Sequence, residues 1–235
     1  MKQYLTETRL LNYSSDIIQN LIGRYKWNNQ EEYFRIKGIY DFVQNHILFG
    51  YNKNDYLLAS EVVQDGYGQC NTKATLLMAL LRGVGVPCRL HAFAVKKDFQ
   101  KGVTTKLISI FAPKHILHTW VEVFFNNEWI ALEGVITDKS YQEAIISKYG
   151  KKSKIFNKYA IATKDLGSLS SGWEGKSTYV QSEAIVEDYG IFNSPDELFK
   201  IHKQDIGKIK EVLYSIYGCK RMTKNVEKIR QGKIK

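Results

Sequence analysis

Three residues of this 235-residue chain are of types that together could do covalent chemistry. They are Cys70 in GYGQC, His118 in LHTWVEVFF and Glu133 in EWIALEGV. A cysteine attacks carbonyl carbon as its thiolate, needs a base that takes and returns a proton, and gains from a third group that orients that base. Cys70 opens the run Cys70, Ala74, Leu77, Leu81, Val84, spaced four, three, four and three residues apart, which is one apolar face of a helix. Its sulfur then lies where unpaired N–H groups and the positive end of the helix dipole favour an anion. The glycines before it let the backbone turn into that helix. His118 and Glu133 belong to two strands joined at Asn126-Asn127, a pair suited to a two-residue turn. That turn pairs Phe125 with Glu128 and sets Trp120 opposite Glu133. His118 then shares a sheet face with Glu133 at a diagonal of roughly 7–8 Å between backbones, a gap that His and Glu side chains span. The chemistry this predicts is nucleophilic acyl transfer.

The elements that must hold these residues are legible in outline. Ser14, Ser15 and Asp16 cap a helix running to Tyr25 with Ile17, Ile18, Leu21 and Ile22 at helical spacing. A second helix is expected from about Glu31 to Ile47. After Gly85 and Pro87, CRLHAFAV (Cys88 to Val95) reads as a strand buried on both sides. Residues 140–180, rich in Lys, Ser, Gly and Tyr, carry too little periodicity to assign. Ser194, Pro195, Asp196 and Glu197 form a capping box opening a helix whose stripe is Leu198, Phe199, Ile206, Ile209, Leu213 and Ile216, closed by Gly218. The fold class is α+β: helices first, then an antiparallel sheet, then a helical tail.

Composition narrows the class of protein. Hydrophobic residues at 44% and charged residues at 25% exclude a disordered or collagen-like chain. The net charge of +10 is concentrated in residues 200–235, which hold 11 basic and 3 acidic residues. Without a helix-turn-helix or stacking aromatics, that charge reads as the solvated face of a helix, not as a nucleic-acid footprint. No run reaches the roughly 18 apolar residues of a membrane span, and the opening residues show no apolar signal core. Three cysteines without metal-type spacing complete the expectation of a soluble, cytoplasmic protein with reduced thiols and no cofactor. The sequence does not specify an oligomeric state.

YGQCNTKATLLMALLRGVGVPCR (Tyr67 to Arg89) followed by HTWVEVFFNNEWIALE (His118 to Glu133) resembles the transglutaminase-like superfamily, the papain-related cysteine enzymes. The shared pattern is Gly-x-Cys on a helix ending in Gly-Val-Pro-x-Arg, a His-x-Trp strand, and an acid 15 residues after the histidine. By that resemblance Cys70 is the nucleophile, His118 the base and Glu133 the orienting acid, where the superfamily usually has Asp. Gln64, six residues before Cys70, matches the spacing of the oxyanion glutamine in papain-like enzymes. The resemblance implies a transglutaminase-like core over 1–190 with a basic helical extension, 191–235, packed on it. It also implies a cysteine-dependent enzyme acting on amide bonds of proteins or peptides, hydrolytic as a peptidase or deamidase, or cross-linking if an amine takes the acyl group. The alternative is a binding module that keeps the fold without the chemistry. Trp120 and Trp129 are expected as sheet and pocket-wall residues, Cys88 and His202 as packing, Cys219 as an exposed thiol beyond a helix end. His46, His91 and His115 show no partner pattern.

Overall fold

A computed structural model of the chain describes residues 1–150, 155–202 and 207–234. Helix α1, Asp16–Tyr25, buries Ile18 and Ile22, and stops where Lys26 turns left-handed and donates its N–H to the Gly23 carbonyl. Helix α2, Glu32–Asn45, buries Ile36, Ile39, Tyr40, Phe42 and Val43. Strand β1, Leu48–Phe49, then reaches past α3, Ala59–Asp65, to pair in parallel with β2, Tyr67–Gly68. Helix α4, Cys70–Gly83, follows directly. Its periodicity predicted one buried face, but every residue from Asn71 to Arg82 is buried, because α1, α2 and α3 cover the sides that β3 and β4 leave open.

Beyond the Pro87 turn run β3, Cys88–Lys96, a short helix α5, Lys106–Phe111, β4, His115–Phe125, and β5, Glu128–Ala131. Asn126 and Asn127 both adopt positive φ, 51° and 64°, which matches the twist a two-residue hairpin needs. The register is the expected one, Phe125 opposite Glu128 and Glu122 opposite Ala131. The unassigned stretch supplies α6, Lys139–Tyr149, and a small hairpin of β6, Phe156–Lys158, and β7, Ile161–Thr163. Strand β8, Ile185–Phe192, then closes an antiparallel sheet ordered β5-β4-β3-β8.

Ser194 caps as expected, its hydroxyl accepting the Glu197 N–H, but the Glu197 carboxylate takes the Asn193 N–H and so does not close a capping box, and the helix, α7, Pro195–Ile201, is short. His202 leaves it in an extended conformation, so the long stripe predicted from Leu198 to Ile216 is broken; Ile206 lies outside the described residues. Helix α8, Lys208–Leu213, passes through a π-helical turn, Tyr214–Gly218, into α9, Cys219–Arg230. Gly218 therefore continues the helix where a stop was expected, at a φ of −60° that any residue can adopt, and Cys219 is buried inside it.

Among the described residues the apolar side chains form two large cores and a small cluster of Phe93, Trp120 and Ala131. One lies between α1–α4 and the sheet face carrying Leu90, Leu117, Val121 and Val123. The other gathers α6, the β6–β7 hairpin and α9 around Tyr141, Ile161, Val180 and Met222, with Cys70 packed at its margin. A buried ion pair fastens α9 to this second layer: Arg230 donates from Nε and Nη2 to Asp138 at 3.0 and 2.7 Å, and from Nη2 to the Phe49 carbonyl at 2.9 Å. Burial alone would raise the Asp138 carboxyl, but the Arg230 and Ser140 hydrogen bonds and the Arg230 charge hold it down at about 2. Nearby, Lys73 on α4 is fully enclosed and donates to the Gln44 and Ile136 carbonyls at 3.3 and 3.2 Å. Burial lowers its ammonium pKa to about 7, against the pull of Asp138 and with the push of Arg230.

Two consequences are measurable. Arg230→Met strands a buried carboxylate and is expected to lower stability by about 3 kcal/mol in urea at pH 7. The pair's contribution is fully present above the ordinary carboxylate range near ~4 and is lost as pH falls toward 2, so the deficit of the variant shrinks on acidification. For Lys73 the sign is opposite. Its folded pKa is depressed, so the cost of burying the charge is full below pH 7 and fades toward the ordinary lysine value near ~10. The stability of the parent relative to Lys73→Met should therefore be flat below pH 7 and rise above it.

Candidate active site

The turn into α4 is made by backbone economy. Gly66 caps α3 at a φ of 69°, and Gly68 packs so closely that a Cβ would lie 2.7 Å from Thr72 Oγ1 and 2.9 Å from Lys73 Cγ. Gln69 caps α4, its backbone N–H donating to Thr72 Oγ1 at 3.1 Å. Its side chain takes the Asn52 N–H at 2.8 Å and gives an N–H to Asp55 at 2.9 Å. Cys70 is thus held at the first helical position, partly exposed, with its N–H among those a helix start leaves unpaired.

His118 projects from β4 and is 1% exposed. Its Nε2 meets Glu133 Oε1 at 2.8 Å. Glu133 is 0% exposed, and its second oxygen accepts the Val180 N–H at 2.8 Å. The other ring nitrogen of His118, Nδ1, is buried with no hydrogen-bond partner of ordinary geometry, and Cys70 is the side chain that acts on the ring besides Glu133. Burial by itself would lower the His118 pKa. The hydrogen-bonding and charge interactions with Cys70 and Glu133 outweigh it and raise the pKa to about 9, so the ring is an imidazolium at neutral pH. Tyr51 and the incoming Tyr214, both within electrostatic range of Cys70, are kept neutral by burial.

Glu133 reaches His118 by a route the hairpin pattern did not contain. The strand was expected to carry it opposite Trp120, yet β5 ends at Ala131 and the last ladder bond is Leu132 N–H to the Val121 carbonyl. Glu133–Val135 is a 3-10 turn, and the Glu133 N–H bonds the Thr178 carbonyl instead. Thr178 runs alongside as a parallel bridge to Leu132, and its hydroxyl oxygen accepts the Gly134 N–H at 3.1 Å. A side chain at Gly134 would run into the Tyr40 hydroxyl and Thr178. Gln44 and Lys73 hold the far side of the turn through the Gly134 and Ile136 carbonyls.

The structure brings Cys70, His118 and Glu133 together, and Gln64 is exposed on α3. Helix α3 buries Ala59, Ser60 and Val62, which turns Gln64 to the exposed side; the buried glutamine beside the thiol is Gln69. Gln69, Asn71 and Asp55 also belong to these surroundings, and the polar residues on both sides of Cys70, Gln69 before it and Asn71, Thr72 and Lys73 after it, are the sequence signal for them. His91 was missed: its ring lies between Glu122 at 2.8 Å and Asp188 at 2.9 Å, and Arg89 closes on Glu122 at 2.6 Å. Glu122 could not be matched to His91 without the β3–β4 register, nor Asp188 without β8. Trp120 is a buried sheet residue as expected, and the Arg89 guanidinium lies 4.1 Å over the Trp129 ring. Among the described residues, no cluster of His, Cys, Asp and Glu could hold a metal ion, and no helix is long and apolar enough to cross a membrane.

Residues 19–134, which contain all three side chains, match the model of the transglutaminase-like superfamily. A search of curated proteins finds no match. A solved structure described as a "putative cysteine protease" from Cytophaga hutchinsonii superposes on 83% of this chain with a TM-score of 0.47 and 15% identity. The chain spans 47% of that structure's length. The segment that carries its cysteine, histidine and glutamate is thus similar to the transglutaminase-like superfamily, whose members are typically cysteine enzymes.

Proposed function

We propose that the protein is a cysteine-dependent acyl-transfer enzyme acting on amide bonds of proteins or peptides, with hydrolysis as its outcome. The observation that carries this reading is His118, enclosed, held by Glu133 at Nε2, with Cys70 acting on the same ring and no other partner of ordinary geometry at Nδ1. A buried polar nitrogen with no conventional partner calls for an explanation, and proton exchange with the neighbouring thiol supplies one. In this reading Cys70 and His118 rest as a thiolate–imidazolium pair. The sulfur attacks a carboxamide carbon, and the oxyanion forms against the Cys70 N–H at the head of α4. His118 gives its Nδ1 proton to the leaving amine as the C–N bond breaks, which leaves a thioester on Cys70. Water then attacks the thioester, passing a proton to His118, and the acid leaves as the C–S bond breaks and the thiolate–imidazolium pair is restored. Glu133 keeps the ring in the tautomer and orientation both steps require and offsets its positive charge. The chemistry is the same for a peptidase and a deamidase, which differ in whether the leaving amine is a peptide nitrogen or ammonia.

The paired state makes Cys70 reactive where a free thiol is protonated. Iodoacetamide should alkylate Cys70 of the folded protein at pH 6 much faster than it alkylates glutathione, and His118→Ala should remove the difference. Equal rates would leave the binding-module reading in its place. Because the His118 pKa is raised, its proton is available below about 9 and is withdrawn above it, so turnover should fall as pH rises through 9.

Glu133→Gln can still accept the Val180 N–H, so the fold should survive. It should nevertheless lower release of new amino termini or ammonia from peptide libraries by roughly 10²-fold or more, because an amide cannot offset the imidazolium. Turnover within about twofold of the parent would assign the orienting role to another residue. Cys70→Ser and His118→Ala should each abolish activity, with the double variant scarcely worse than either, as expected of groups acting as a unit.

A further inference from the structure

The residue after the nucleophile grips the two residues on either side of the histidine. Asn71, 3% exposed, donates from Nδ2 to the Leu117 carbonyl at 3.3 Å and accepts at Oδ1 from the Thr119 hydroxyl at 3.0 Å. Its side chain also hydrogen-bonds Asp55, which takes an N–H from Gln69, the residue before the nucleophile. His118 lies between Leu117 and Thr119 on β4. Beyond Glu122 that strand has left β5 behind, since the β4–β5 ladder ends at the Glu122–Ala131 pair. Around His118, β4 stays paired with β3, Phe93 opposite His118, and the Asn71 side chain bonds this part of β4 directly to α4. Apolar packing at this junction is non-directional and tolerates sliding, whereas two hydrogen bonds from one planar amide, one given and one accepted, fix both distance and angle.

We infer that Asn71 is a positioning residue, whose bonds to Leu117 and Thr119 set the separation and alignment of the Cys70 sulfur and the His118 ring. The inference rests on the reading of Cys70 and His118 as the reacting pair. A proton shared between sulfur and Nδ1 is sensitive to displacements of well under an ångström, so loosening the clamp should act on the pairing before it acts on the fold.

Thr119→Val tests this by removing the hydroxyl at nearly constant volume, and Thr119→Ser restores the hydroxyl. The readout is the ratio of Cys70 alkylation rates by iodoacetamide at pH 6 and pH 10, because at pH 10 thiols ionise without help from a histidine. Thr119→Val should keep the parent rate at pH 10 and lose roughly tenfold at pH 6, with thermal unfolding close to that of the parent. Thr119→Ser should recover the ratio, and Asn71→Ala should lower it at least as far as Thr119→Val. A folded Thr119→Val with the parent's ratio overturns the inference and leaves the proposed function standing. A Thr119→Val protein that fails to fold also overturns it, since the hydroxyl would then serve the fold and not the pair. A parent protein with no excess reactivity at pH 6 overturns both.

Discussion

A carboxylate with no access to water must have its oxygens satisfied by protein, and the surroundings of Glu133 are organised around that demand. One oxygen faces the His118 ring and the other takes the Val180 N–H, a group 47 residues further along the chain. Meeting both requires β5 to stop at Ala131 and the backbone to tighten into a 3-10 turn. The segment around Thr178 must also lie alongside as a surrogate strand. The second layer, built from α6, the β6–β7 hairpin and α9, takes Val180 of that segment into its core. The low-dielectric enclosure in turn strengthens the ring's interactions with its two partners, which is why its pKa rises in spite of burial.

The turn that follows β5 sets how far the Glu133 side chain has to reach. Leaving the ladder one residue after Leu132 bonds Val121 moves the Glu133 backbone off the sheet, so that the carboxylate ends at hydrogen-bond distance from Nε2. The small residue at Gly134 lets this turn press against Tyr40 and Thr178. Gln44 and Lys73 then tie it down from α2 and α4.

Helix α4 connects the parts. Its first residue is the thiol, its second bonds the strand beside His118, and its fourth bonds the turn beyond Glu133. A helix used in this way cannot be merely amphipathic. It is buried on every side, and its polar residues Asn71, Thr72, Lys73 and Thr75 are satisfied one by one by neighbouring groups: Asn71 by Leu117 and Thr119, Thr72 by Asn52, Lys73 by Gln44 and Ile136, and Thr75 by the Asn71 carbonyl. Lysine in such a place retains its proton poorly, and the depressed pKa of Lys73 measures how dry the interior of this helix is.

Local chemistry alone determined a good deal. Two asparagines that tolerate positive φ fix a two-residue hairpin, and with it the register that pairs Phe125 with Glu128 and Glu122 with Ala131. Glycines before a cysteine, followed by an apolar period of three and four, fix a helix with the thiol at its start. The Ser194 cap fixes a helix start equally well. What local chemistry could not decide is whatever depends on partners distant in the chain. These include the end of β5 and the Val180 bond to Glu133, the burial of Asn71 and Lys73, the pairing of His91 with Glu122 and Asp188, and the exposure of Gln64. The C-terminal segment shows the same boundary from the other side. Apolar spacing suggested one helix ending at Gly218, whereas the chain breaks at His202 and then runs helical through Gly218 to Arg230. The burial of Cys219, Met222, Val226 and Ile229 against the second layer and the bond of Arg230 to Asp138 favour that continuation. Periodicity records which residues avoid water, but only the packed neighbours determine which polar groups must be satisfied, and by whom.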